Sequence, residues 1–239
     1  SALSRAFCNR KPEPAAGLGW FDFVRQGLLS YSVPMQYLGC FLGGAGYGLF
    51  FGGNAVDALC AGICGMLIGL VNAFLDKRKT NQFFRTIASA FLMALLAYAM
   101  GAVSISQNPD AVTIGALMIL VPGLLFTNAM RDIIYGDTNS GVNRIVQVLL
   151  IAVAIACGTA VAWNCATLLW GEPISAAVVN HTLMYECIAT AFGCLGFCIL
   201  FNVHGKGIVF CMLGGVICWL SYSIVEAIGG GDGMATFIA

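Results

Sequence analysis

Polar and apolar positions fall along this chain in long blocks. No Asp, Glu, Lys or Arg occurs over 26–56, 58–75, 86–109, 111–130, 145–171, 187–205 or 207–225. Crossing a bilayer takes about 20 apolar residues in a helix, and each block supplies one such segment. The pattern predicts spans over about 33–53, 55–75, 84–105, 111–127, 145–170, 183–203 and 207–228, with another apolar stretch beginning before Ala239. The predicted fold class is therefore all-α, a polytopic transmembrane helical bundle of about seven spans plus the start of an eighth. Residues 1–32 read as a cytoplasmic amphipathic lead-in, 33–170 as five spans, 171–182 (GEPISAAVVNHT) as an outer-side linker, and 183–239 as a second, incomplete set.

Composition agrees with that pattern. Of 239 residues, 59% are hydrophobic and 9% charged, whereas a soluble domain carries about 25% charged residues. So little charge cannot cover a water-facing surface, which excludes the reading of the shorter blocks as buried helices of a soluble protein. All eleven basic residues fall before span one, between spans two and three, between four and five, or between six and seven. The loops over 104–110 and 171–182 have none. By the positive-inside rule the basic regions are cytoplasmic and the amino end is inside. Asp57, Asp110, Glu172 and Asp232 then lie toward the outer side.

Within span one, Gly39/Gly43, Gly44/Gly48 and Gly48/Gly52 form small-xxx-small pairs, as Gly65/Gly69 do in span two. Such pairs let helices approach closely where lipid offers no hydrophobic drive for association.

The stretch PGLLFTNAMRDIIYGDTNSGVNR, from Pro122 to Arg144, carries the candidate chemistry. Pro122 removes a backbone donor and clashes with the preceding turn, and Gly123 permits a bend, so span four is predicted to break there. Irregular backbone at membrane depth is tolerated only where protein or a water-filled cavity satisfies it. A helix over 123–135 places Asn128, Arg131 and Asp132 on neighbouring turns. Asp132 has Arg131, Arg144 or another cytoplasmic base as possible partners. Two readings stand: a proline-kinked helix running into an ordinary cytoplasmic loop, or a discontinuous helix lining a solute site.

The spacing P-G-x4-N-A-x2-D-x3-G-x4-G-x2-R, matched by Pro122, Gly123, Asn128, Ala129, Asp132, Gly136, Gly141 and Arg144, resembles the signature of the threonine/serine exporter family. Farther on, Gly196-Phe197, Phe201-Asn202-Val203 and Leu213-x-Gly215 resemble the start of that family's second half. The resemblance extends over about 34–239. It implies a two-halved bacterial inner-membrane exporter, fused or split, of which this chain holds the first five-span half and the beginning of the second. A soluble amino-terminal domain and the remainder of the second half would come from elsewhere, from a companion subunit or a homo-oligomer. The implied activity is gradient-driven export, by antiport, of small polar metabolites: threonine and serine, or a dicarboxylate such as succinate, with which split members are associated. The substrate path would run by Pro122, Gly123, Asn128, Asp132, Gly136, Gly141 and Arg144. A channel or a non-transporting structural membrane subunit is the competing class.

Charges inside spans are costly and thus functional candidates. Asp57 and Glu186 are positions where the family tends to carry an acid, and both are candidates for proton coupling; Glu226 reads as a residue snorkelling to the interface. Arg85, early in span three, reads as a cytoplasmic anchor, and His204 as a solvated loop histidine. Eleven cysteines, two histidines and no close CxxC pair give no basis for a metal site, and no cofactor is expected. Gly229-x-Gly231-Asp232 matches the GxGD of intramembrane aspartyl proteases but lacks a Tyr-Asp partner, and HExxH and GxSG are absent, so the chain does not read as an enzyme. Nucleic acid is excluded as a partner because no basic patch exists; the lipid bilayer and a small solute remain.

Overall fold

The computed structural model describes residues 31–171, 182–229 and 231–239. The described residues form nine helices and no strand. In chain order they are α1 (Val33–Phe50), α2 (Ala55–Lys77), α3 (Gln82–Ala102), α4 (Pro109–Leu117), α5 (Gly123–Ile134), α6 (Thr138–Trp170), α7 (Leu183–Leu200), α8 (Lys206–Ala227) and α9 (Gly231–Ile238). The lead-in and the linker expected over 1–32 and 171–182 lie, but for their end residues, outside the described residues, as does the side chain of Asp232.

Five helices are long and apolar enough to cross a membrane: α2, α3, α6, α7 and α8. The other two expected spans fall short for different reasons. In α1 the many glycines dilute the hydropathy. Span four is divided between α4 and α5, neither of which is long enough alone.

The glycines of α1 explain its central place, for α2, α4 and α7 all pack on it. A Cβ on Gly44 would lie 2.5 Å from the Ala61 carbonyl oxygen of α2, and one on Gly46 would collide with the Gly193 backbone of α7. Backbone meets backbone here, which maximises dispersion contact without any interlocking side chain. Gly65 meets the Cys40 carbonyl of α1 in the same way, whereas Gly69 makes room for the Cys40 and Tyr37 side chains. Gly52 differs from the expectation: the helix stops at Phe50, and Gly52 forms the following turn with φ +85°.

α3 packs against α2 and α6. A cluster that includes Ile68, Met93, Ala97, Val112 and Ala162 fills the space between α2, α3, α4 and α6. At the periphery, α8 packs on α7 and α9 and buries none of its residues.

Candidate solute site at the interrupted helix

The interruption is wider than Pro122-Gly123 alone. Helix α4 ends at Leu117, and Met118–Pro122 are non-helical. The chain first tightens, with Ile119 N–H donating to Ala116 O at 3.2 Å and Leu120 N–H to Leu117 O at 2.8 Å. Pro122 cannot donate to a carbonyl one turn back, and its ring biases Val121 away from helical geometry. The break therefore propagates upstream of the proline that causes it. Helix α5 restarts at Gly123 with no side-chain cap.

Beyond the break lies neither a plain loop nor a continuation of the span, but a helical hairpin of α5 and α6. Gly136 adopts φ +90°, and Asp137 N–H reaches back to Asp132 O at 2.9 Å, closing the α5 end with a left-handed turn. Asp137 then caps α6, accepting from Ser140 N–H at 3.4 Å. At the crossing, Ala129 is buried and a Cβ on Gly141 would meet Ile133 and, at 3.0 Å, the Ala129 carbonyl. Of Asp132's possible partners, the structure selects Arg144: Nε lies 3.3 Å from Oδ2, with side chains 17% exposed for Asp132 and 40% for Arg144. Ala129, Asp132, Gly136, Gly141 and Arg144 thus act together to build one hairpin.

Pro122, Gly123 and Asn128 do something else. They line a cavity of about 450 Å³ walled also by α2, α3 and α6. Its polar lining comes from Asn72, Gln82, Arg85, Thr86, Asn128 and Gln147. Gln147 Nε2 donates to Gln82 Oε1 at 3.2 Å, bridging α6 to α3, and Ser89 Oγ donates to Asn72 Oδ1 at 2.9 Å, bridging α3 to α2. A second cavity of about 550 Å³ adjoins it between α1, α2, α3 and α7. Asn72, Arg85, Ile119 and Phe201 line both. Asp132, Gly136, Gly141 and Arg144 line neither.

The two carboxylates singled out in the spans sit far apart in character. Asp57 is 1% exposed. Its Oδ1 accepts from Ser106 Oγ at 2.8 Å, Gln107 N–H at 2.9 Å and Asn108 N–H at 3.3 Å, and its Oδ2 from Asn54 N–H at 3.0 Å. Asn54 returns the contact by capping α2, accepting from Val56 and Asp57 N–H. Three of these donors tie the start of α2 to the segment before α4, and the fourth completes a capping box within α2. Glu186, in the first turn of α7, is half-buried and accepts from Trp219 Nε1 of α8 at 3.2 Å. Glu226 is exposed at the end of α8.

Two family models match this sequence. One, described as a putative threonine/serine exporter, matches residues 1–166. The other, described as threonine/serine exporter, ThrE, matches residues 186–239. The chain belongs to the threonine/serine exporter family. No curated protein and no solved structure matches it. It is thus an exporter-type transporter, multi-pass in the membrane, from a family of transporters and not of enzymes.

In this exporter the second motif has a structural account as well. Gly196 seats α7 against the Gly43 backbone of α1. Phe197 and Phe201 stack at 5.6 Å between ring centroids and line the second cavity. Asn202, at φ +58°, turns the chain out of α7. The exporter's cavity also contains residues that the signature does not mark. Asn72, Gln82 and Gln147 are amides within or at the edge of otherwise apolar helices, and that isolation is the sequence signal that would have found them. Arg85, whose position early in span three reads as a cytoplasmic anchor, has a side chain 25% exposed that lines both cavities.

Proposed function

We propose that the chain moves threonine, serine or a dicarboxylate outward, driven by an ion gradient, along a path that passes the 450 Å³ cavity beneath the interrupted helix. The observation that carries this reading is the opening of non-helical Ile119–Pro122 and the α5 amino end onto a polar-lined hollow that Asn128 also faces. A volume of this size suits a small metabolite. Amide donors at a helix amino end favour an anionic group, which amino acids and dicarboxylates share. Asn128 contacts the solute in this scheme, while Asp132, Gly136, Gly141 and Arg144 fix the angle at which α5 presents it. The basic end of the bundle faces the cytoplasm of a bacterial inner membrane, and loading occurs there.

Of the two candidate coupling carboxylates, Glu186 is the more exchangeable, since among the described residues it makes one side-chain bond across a helix pair where Asp57 makes four. This favours Glu186 as the coupling residue. The chain acts with further copies or with a companion subunit.

An efflux assay tests the reading. Cells are preloaded with threonine, serine or succinate and compared with and without the protein, and with Asn128→Ala. At least one solute is expected to leave faster with the protein and more slowly with the variant. Equal retention of all three in every strain rejects the assignment. Efflux that persists unchanged after the gradient is collapsed favours a channel.

A further inference from the structure

Resting on the exporter reading, we propose that Arg85 is the specificity residue that holds the solute's carboxylate, and that Asp76 is the internal carboxylate for which the solute is exchanged. Among the described residues, Arg85 is the sole charged side chain lining the 450 Å³ cavity; the other polar groups there are amides and a hydroxyl. Of the described residues, an anion entering that hollow meets one guanidinium and no acid. The guanidinium is a planar fork suited to bidentate carboxylate binding. It is already engaged on one side, where NH1 pairs with Asp76 Oδ1.

That pair is asymmetric. Asp76 is 75% exposed and Arg85 25%, so the acid is held at the rim while the base reaches inward. Exposed ion pairs contribute little net stability because water competes for both partners. A carboxylate inside the cavity, with less water around it, interacts more strongly with the same cation. Asp76 lines the second cavity and not the first, whereas Arg85 lines both. Solute in the first cavity therefore draws Arg85 away from Asp76, and departure of solute restores the pair. Lys77 lines the second cavity as well and keeps the released Asp76 in basic surroundings. Recognition depends on the carboxylate and not on the hydroxyl or ammonium, so amino acids and dicarboxylates both qualify and an amino alcohol does not.

The test uses the purified full chain in nanodiscs, with radiolabelled threonine, serine and succinate as separate probes and threoninol as competitor. Efflux from cells is measured for the same variants, and size-exclusion profiles confirm folding. Wild type is expected to bind at least one of the three acids, with no competition from threoninol. Arg85→Gln is expected to weaken binding at least tenfold, Arg85→Lys less, and Asp76→Asn to tighten it severalfold. Wild-type affinity in folded Arg85→Gln, or threoninol competing as well as threonine, overturns the assignment. Efflux with unchanged KM in Arg85→Gln also sinks Arg85 and leaves the exporter reading intact. Arg85-dependent binding without any efflux by wild type upholds the site and removes the exporter reading. No binding of any acid by wild type overturns both.

Discussion

Helix α2 carries an aspartate near each end, and the two ends behave as opposites. At its start Asp57 is sealed, with four donors on one carboxylate and almost no exposed surface. At its finish Asp76 is open to solvent and holds a single guanidinium that borders two hollows. Residue type is the same in both places; the surroundings decide. A carboxylate whose partners are backbone N–H groups of a neighbouring loop is part of the scaffold, since those donors have nowhere else to go. A carboxylate whose one partner is a long side chain can be left and rejoined.

The contrast can be broken by substitution, and the largest effect is expected at the sealed end. Asp57→Ala strands Ser106, Gln107 and Asn108 donors in a buried site, at about 1–3 kcal/mol for each unsatisfied group. The variant should lose about 3 kcal/mol or more in stability, read as a collapse of the thermal transition in detergent. Asp57→Asn keeps an oxygen for three of the donors and should lose less than half as much. A wild-type melt for Asp57→Ala would show that the clamp does not hold the fold. Next in size is Gly141→Leu, which forces a side chain into Ile133 and the Ala129 carbonyl; overpacking of this kind costs about 1–3 kcal/mol. Cysteine pairs placed across α5 and α6 should then cross-link more slowly than in the parent.

Smaller again is the Asp132–Arg144 pair. A double-mutant cycle with alanine at both positions should give a coupling of about 0.5–1 kcal/mol, because the pair is half-exposed and monodentate. Coupling indistinguishable from zero would mean the glycine crossing alone sets the hairpin. The smallest stability change belongs to the open end: Asp76→Ala should move the melting transition by less than about 0.5 kcal/mol, while its effect shows in solute binding. A large loss of stability there would make the two ends alike and end the contrast.

The helical blocks and the interruption were legible because both follow from local rules, charge-free length in one case and proline chemistry in the other. The fold class and the family followed from the same features. Other points depended on which helices meet. Pro122 marks the interruption, but its five-residue width depends on how the preceding turn relaxes. Spacing marked Asp132, Gly136, Gly141 and Arg144 as a group, but that their small residues and ion pair form a hairpin crossing depends on how α5 and α6 meet. Gly52 has the spacing of a packing pair yet lies beyond a helix end that no residue in span one announces. Arg85 could not be told from an interfacial anchor, since only the approach of α2, α3 and α7 surrounds it with cavities. Asn72 and Gln147 stand out in the sequence only as amides in apolar runs.

The partition between the two hollows consists of Asn72, Arg85, Ile119 and Phe201. Merging the chambers therefore asks for rotamer changes, which take picoseconds to nanoseconds when side chains are loosely held. Such a thin septum cannot be the tightest barrier to uncontrolled leakage. The two hollows should therefore exchange water and small ions without any helix moving, on a timescale far shorter than that of helix rearrangement.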